Sequence, residues 1–512
     1  MICKKWTLPL YFMLIIALSC ILFIACNTRD SVKPNILLIM ADDLGYGELG
    51  CYGQDVIQTP HIDNLARSGM RFTQFYTGAP VCAPSRCVLL TGKHTGHSYV
   101  RDNDEMREKG DVWDFQKASH DPNLEGQRPL PEGTRTIGTQ LQQAGYVTAC
   151  IGKWGLGGPT SEGAPNKQGF DFFYGYNCQR QAHTYYPLHL WKNEIKDTLY
   201  NRLVVPGTQL DKGADPYEPD HYKKYNQQEY APAKMLEEAL AFMDNNQHQP
   251  FFLYYATPIP HLPLQAPKEW VDKYHSILGE EAPYTGDRGY FPARYPRATY
   301  AAMISYLDDQ VGSLVAKLKE LGLYENTLII FTSDNGPTYT GGADTPFFNS
   351  ARPFKTEYGW GKGFTREGGI RVPMIASWEG HISPGAESNH ISALWDILPT
   401  LCDVTGAGIP DDTDGISMVP ELTGQVQDQH AYLYWEFPGY GGQQAVRMND
   451  WKAIRSDIRK GNMDIELYYL KEDIQEQNNV AEQYPEVLMK MEQIMKEARF
   501  PSAVHPLFET DK

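Results

Sequence analysis

Asn35-Ile36-Leu37-Leu38-Ile39-Met40-Ala41-Asp42-Asp43 decides how this chain folds. The run is short, apolar almost throughout and does not alternate. A strand buried on both faces of a parallel sheet reads this way. Similar runs recur at 147–152, 251–256 and 327–332, and helical patterns lie between them at 136–144, 231–245 and 300–321. Alternating buried strands and amphipathic helices predict an α/β fold with a central, mostly parallel sheet. After about residue 424 the pattern changes. Segments 431–436 and 446–455 read as antiparallel strands and 484–498 as a closing helix, so a small C-terminal α+β domain with an antiparallel sheet is expected. Two stretches rich in Gly, Pro and charge, 99–133 and 200–230, read as long loops. Loops of that length in a compact domain tend to be functional or disordered.

The chain has 512 residues, long enough for a large core, with 46 Lys and Arg against 63 Asp and Glu and a net charge of −17. That balance argues against nucleic-acid binding, which needs a basic face. With 32 Tyr, 20 Phe and 10 Trp, the aromatic content suits either carbohydrate stacking or an aromatic core.

Lys4 and Lys5 precede an apolar run over 8–25, interrupted by Pro9, Ser19 and Cys20. The run could just span a bilayer, but its basic start and small-residue exit favour an export signal. It resembles a bacterial lipoprotein signal, with Cys26 as the lipid-bearing residue, although Phe23 stands where Leu is usual. An uncleaved anchor would leave the same domain outside the cytoplasm. The expected organisation is a signal peptide at 1–25, a tether at 26–33, a catalytic domain at 34–424 and a C-terminal subdomain at 425–512. The protein is expected to be exported, in the periplasm or attached to the outer membrane. Cys51, Cys82, Cys87, Cys150, Cys178 and Cys402 remain, scattered and without zinc spacing, so a disulfide-dense scaffold is excluded.

In open α/β sheets ligands bind beyond the carboxyl ends of the strands. The first run ends in Asp42-Asp43 and the 327–332 run leads to Asp334-Asn335. Together these form an oxygen-rich set for a hard divalent cation, although Asp and Asn also favour turns. Segment 81–92 places Pro84 near the start and Gly92 at the end of a short helix, with Cys82 at its N-terminus and Arg86 one turn along the same face. Amide donors and the helix dipole favour negative charge there. Cys82 reads either as a thiolate nucleophile or as a buried structural cysteine.

Cys82-x-Pro84-Ser85-Arg86 followed by Leu89-Leu90-Thr91-Gly92 resembles the signature of the type I sulfatases of the alkaline phosphatase superfamily. Further similarities are the opening 34–45, Gly152-Lys153-Trp154, the stretch Thr332 to Gly336, and Gly361-Lys362-Gly363 with 367–373. The resemblance implies an alkaline-phosphatase-like fold and a calcium site, calcium in preference to magnesium, built from Asp42, Asp43, Asp334, Asn335 and modified Cys82. In that family a maturation enzyme oxidises the cysteine to formylglycine, whose hydrate attacks sulfur. Arg86, Lys153 and Lys362 are implied to gather the sulfate oxygens, and His261 to be the acid that protonates the departing sugar oxygen. The family usually has a histidine where this chain has Gly155, and His183 is a candidate replacement or sugar contact. His94 and His97, three apart, read as supporting or solvent-facing residues and not as a metal pair.

A sulfated carbohydrate is the expected substrate, with Asn103, Arg180, His183, Arg352 and Trp360 as candidate contacts. The 180–183 segment and Gly155 resemble a bacterial branch acting on sulfated galactose or N-acetylgalactosamine. Two alternatives stand beside this. One is a phosphonate or phosphodiester hydrolase of the same superfamily. The other is a non-catalytic surface glycan-binding lipoprotein, held to the membrane through its lipid only.

Overall fold

The computed structural model describes residues 33–512, so the expected signal peptide and the lipid-bearing Cys26 lie outside the described residues. Among the described residues no helix is long and apolar enough to cross a membrane.

The opening run is strand β1 (Asn35–Ala41), buried along its whole length. Beside it lie β2 (Val147–Lys153), β3 (Phe172–Tyr176), β4 (Phe251–Ala256) and β5 (Thr327–Ser333). In the sheet they stand in the order β5-β1-β4-β2-β3, all parallel, with Leu38 opposite Tyr254 on one side and Ile330 on the other. Strand β6 (Met374–Ser377) joins β5 antiparallel. Short strands at Met70–Phe72 and Ala386–Ser388 extend that edge, while His189–Lys192 and Ile195–Thr198 close the other, for ten strands in all.

Side chains of β1 go alternately to two cores. Leu37 and Ile39 pack with the faces of α2 (Ala231–Asn245) and α3 (Pro296–Glu320). Ile36, Leu38 and Met40 pack with α1 (Cys82–Thr91) and the Ile397–Thr405 helix. Each fully buried Leu or Ile contributes roughly 1.5–3 kcal/mol of transfer free energy, so the three layers hold the strand ends rigidly.

A separate four-stranded antiparallel sheet follows: β7 (Leu433–Phe437), β8 (Gln443–Met448), β9 (Trp451–Arg455) and β10 (Glu466–Tyr469), covered by the Pro485–Glu497 helix. The expected single strand over 446–455 is a hairpin. Asn449, at a left-handed φ of 53°, turns the chain between Met448 and Trp451. Asn tolerates that conformation better than other non-glycine residues, which is why the turn forms there. Both expected long loops are mainly irregular, with a short helix at Phe115–His120 and a 3-10 turn at Pro219–Tyr225.

Candidate active site

Helix α1 starts at Cys82 after the extended Val81, and no side chain of Val81 caps it. Its first amides are therefore donors without helical partners. Gly92, at φ 67°, ends the helix and donates its N–H to the Val88 carbonyl at 2.9 Å. The helix start faces the ends of β1 and β5. The Cys82 thiol donates to Asp42 Oδ1 at 3.3 Å and lies 4.0 Å from Asp43 Oδ1, and Lys362 Nζ is 3.6 Å from Cys82 Sγ. Asp43 takes a left-handed φ of 67°, and its N–H is held by Asp334 Oδ1 at 3.1 Å. That conformation turns two successive carboxylates toward one point, where extended backbone would send them apart.

Every carboxylate has a cation. Lys153, the last residue of β2, donates to Asp42 Oδ2 at 2.6 Å. Lys362 Nζ is 2.7 Å from each Asp43 oxygen. Arg86 donates to Asp334 Oδ2 through Nε at 3.1 Å and Nη2 at 2.8 Å, lies 3.4 Å from Asp42, and also donates to the Lys153 carbonyl. Asn335 donates to Asp43 Oδ1 at 2.8 Å. His261 Nε2 is 3.8 Å from Asp43, and its Nδ1–H donates to the Leu262 carbonyl at 2.6 Å. All nine residues implied for catalysis and metal binding are thus brought together, on the carboxyl side of the sheet.

Burial works to raise the Asp42 carboxyl, but Lys153, His261, Arg86 and Lys362 outweigh it and hold the group well below the usual carboxylate range. Asp334 is pushed up to about 7 by burial and by Asp42, against Arg86. Burial and then Asp42 push the Cys82 thiol far up, so the site does not favour a thiolate. His261 lies well below the ordinary imidazole value through burial and then Lys362, and His183 likewise through burial and then His261. A neutral His261 that donates from Nδ1 leaves its Nε2 lone pair facing the site.

The donor set fits a hard cation. Oxygens of three carboxylates and one amide converge, and Asn335 Oδ1 is buried with no partner. Such an orphaned acceptor is expected where an ion or a water completes the shell. The other His/Asp group, His94, His97 and Asp414, is different. His94 Nδ1 accepts the Gly96 N–H at 3.1 Å and His97 Nδ1 sits 2.9 Å from Asp414, an internally bonded cluster.

The proposed sugar contacts divide. His183 stacks on His261, with ring centroids 5.5 Å apart, and touches Tyr290. Asn103 Oδ1 accepts the Ala83 N–H at 3.0 Å. Arg180 is fully buried, pairs with Glu105 at 3.2 Å and lies over Trp113 and Phe115. Arg352 and Trp360 do not join the cluster. Arg352 Nη1 donates to the Gly53 carbonyl, and Trp360 Nε1 to the Gln475 carbonyl in the C-terminal part of the chain. The sequence reading missed Tyr290, Gln179 and Glu105. Glu105 and Tyr290 arrive on loops and Gln179 at the start of the Gln179–His183 3-10 turn, their courses set by tertiary packing, and no spacing signals them.

Among known proteins, a family model described as Sulfatase matches residues 34–407, and one described as N-sulphoglucosamine sulphohydrolase, C-terminal, matches 356–500. Arylsulfatase A of Homo sapiens is 33% identical over 450 residues, covering 85% of this chain and 77% of that protein. N-acetylgalactosamine-6-sulfatase of Homo sapiens is 30% identical over 418 residues, covering 78% and 68%. The crystal structure of Ps i-CgsB in complex with k-i-k-neocarrahexaose has a TM-score of 0.71 at 28% identity, covering 94% of this chain and 96% of that one. A match that runs from β1 through the Ile397–Thr405 helix takes in every strand end that supplies the cluster, and on it the chain belongs to the type I sulfatase family and is a sulfuric ester hydrolase.

Proposed function

We propose that the protein removes sulfate from sulfated carbohydrates, with residue 82 acting as its formylglycine form beside a bound calcium ion. The observation that carries this reading is the surroundings of Cys82. Its thiol sits at a helix start between Asp42 at 3.3 Å and Lys362 at 3.6 Å, a polar setting that neither suits a structural cysteine nor lowers a thiol's pKa. Oxidised to the aldehyde and hydrated, residue 82 would present a hydroxyl as the nucleophile at sulfur. Asp42, Asp43, Asp334 and Asn335, with residue 82, would hold the cation, whose charge would draw the sulfate oxygens and screen their repulsion of a nucleophile.

The remaining work falls to the chain's own side chains. Lys153 and Arg86 hold Asp42 ionised, Arg86 fixes Asp334 in place, and Lys362 stands next to residue 82, where an ester oxygen would gain charge. His261 is fixed by its Nδ1–H bond to Leu262, so Nε2 is the atom available for proton exchange. In the free site it is neutral. An anionic ester beside it favours the protonated ring, and this makes it the acid for the leaving sugar oxygen on substrate binding.

For the sugar we infer sulfated galactose or N-acetylgalactosamine. Supporting this are the relative named for N-acetylgalactosamine-6-sulfate, the Ps i-CgsB complex with a neocarrahexaose, and the His183–His261 stack. The N-terminal segment is read as the address of an exported lipoprotein.

The test is a mass spectrum of the tryptic peptide 72–86 from the native host after alkylation of free thiols, followed by assay of sulfate and phosphonate esters of one alcohol. An aldehyde at residue 82 and preference for the sulfate ester are expected. A fully alkylated Cys82 in active protein overturns the mechanism. Preference for the phosphonate points to the phosphorus-ester reading, and sugar binding without turnover points to the binding-protein reading.

A further inference from the structure

Next to helix α1 a buried amide oxygen has nothing to bond. Gly155 follows Trp154 at a φ of 80°, and a Cβ placed on it would lie 2.9 Å from Gln179 Cγ, so the Gln179 side chain fills the space above the glycine. Gln179 is 6% exposed. Its Nε2 donates to Asn103 Oδ1 at 3.1 Å, and that same oxygen accepts the Ala83 N–H at 3.0 Å. Because the backbone N–H can only donate, the Asn103 atom must be the oxygen, and its second partner must be the Gln179 NH2 group. The orientation of Gln179 is thereby fixed, with Oε1 turned away from Asn103.

That Oε1 is buried and has no partner. Nor is it alone, since Asn177 Oδ1, Arg180 Nε and Nη2, and Gln181 Nε2 are orphaned along the same few residues. Orphaned buried polar atoms are rare in folded proteins. The Arg180 guanidinium faces Trp113, Phe115 and Glu105, whereas Gln179 is tied through one amide oxygen to the peptide that follows Cys82, which leaves its Oε1 as the acceptor for a polar group that completes the site in its working form.

We propose that Gln179 is a positioning residue for residue 82. Its Oε1 accepts a hydrogen bond from the hydroxyl-bearing side chain that residue 82 carries after modification, while Asn103 locks the amide and the helix start together. This rests on the reading of residue 82 as the modified nucleophile. An amide oxygen holds a hydroxyl in place without removing its proton, so the effect falls on orientation during turnover and not on capture of substrate. Gly155 provides the room, because any side chain there would displace Gln179.

The test is steady-state kinetics with 4-nitrophenyl sulfate on Gln179→Leu, Asn103→Ala and the double variant, each checked by mass spectrometry for conversion of residue 82. In fully converted enzyme, Gln179→Leu is expected to lower kcat by about ten- to a hundredfold with KM within about threefold. The double variant is expected to fall no further than the worse single one, as for two residues acting as a unit. Asn103 is exposed, so Asn103→Ala reads the same link if Gln179→Leu folds poorly. Unchanged kcat in Gln179→Leu overturns the proposal, as does a rise in KM alone, which would make Gln179 a substrate contact. An unmodified Cys82 in active wild-type enzyme is a separate result: it removes the reading of residue 82 itself.

Discussion

Two of the buried clusters of carboxylates and cations among the described residues are built differently. One is the Asp42–Asp43–Asp334 group with Arg86, Lys153 and Lys362. The other lies between the two sheets, where Lys452, fully buried on β9, bridges Glu367 at 2.8 Å and Glu476 at 2.9 Å. Around it Tyr76 donates to Glu367 at 2.8 Å, Arg371 at 3.1 Å, and the Glu367 N–H donates to Glu476 at 2.8 Å. The second cluster is a clasp. Its charges come from a strand face, the start of the short Glu367–Ile370 helix and a loop, and Arg447 Nη1, 3.9 Å from Glu367, is left without a hydrogen-bond partner. The first draws its charges from strand ends and a helix start, surrounds a cysteine and leaves Asn335 Oδ1 unpaired. Buried charge alone therefore does not mark an active site. What sets the first apart is the cysteine on which its carboxylates and an ammonium group converge.

The comparison breaks most sharply at residue 82. Cys82→Ala is expected to lower turnover of a chromogenic sulfate by about 10⁴-fold or more, because no other nucleophile stands there. Its melting temperature should stay within about 2–4 °C of wild type, since only a small side chain is lost. A large loss of stability would mean that the cysteine is structural. Chelation by EDTA comes next. Activity should fall by roughly tenfold or more and return on adding calcium, because without the cation only side chains remain to oppose the sulfate charge. A chelator-resistant enzyme would make the first cluster a network of side chains alone, like the second.

Lys452→Met reverses the pattern. It leaves Glu367 and Glu476 facing each other in the interior, and denaturant unfolding should show a loss of about 3–5 kcal/mol. The fraction that stays folded should lose far less kcat than Cys82→Ala. The smallest effect concerns histidines outside both clusters. Burial holds His94 and His505 down to about 4. In the unfolded chain they take up protons near their ordinary value of 6.5, so the unfolded state binds more protons between that pH and about 4. Stability should therefore fall as pH drops through this window, by roughly 1–3 kcal/mol for His94. His94→Gln should flatten that slope in melts between pH 7 and pH 4.

What the sequence showed of this fold depended on how much of the energetics is local. Strands β1, β2, β4 and β5 are buried on both faces, and their unbroken apolar runs said so. Ile195–Thr198 is short, polar and partly exposed at an edge, and nothing local marks it. Met448-Asn449-Asp450-Trp451 was read as continuous strand because the turn adds no glycine or proline to the pattern. In the site, Asp42, Asp43 and Asp334-Asn335 were legible because they end readable strands. Gln179 and Tyr290 were not, since only the packed fold brings them near Cys82, while Arg352 and Trp360, expected as sugar contacts, bond the Gly53 and Gln475 carbonyls.

The segment that carries Lys362 is gripped from two sides: the Lys362 and Gly363 N–H groups donate to the Pro337 and Pro80 carbonyls at 3.0 and 2.8 Å, and the C-terminal part of the chain holds the rest. Gln443, first residue of β8, donates to the Gly363 carbonyl at 2.7 Å and accepts the Thr365 N–H at 3.0 Å. Trp360 reaches Gln475, Arg366 reaches Glu466, and Glu367 is clasped by Lys452. The C-terminal sheet is thus one jaw of the jig that sets one ammonium group against Cys82 at the ends of the other sheet's strands. Wear in the jig, not damage at the cutting edge, would be enough to put the tool out of alignment.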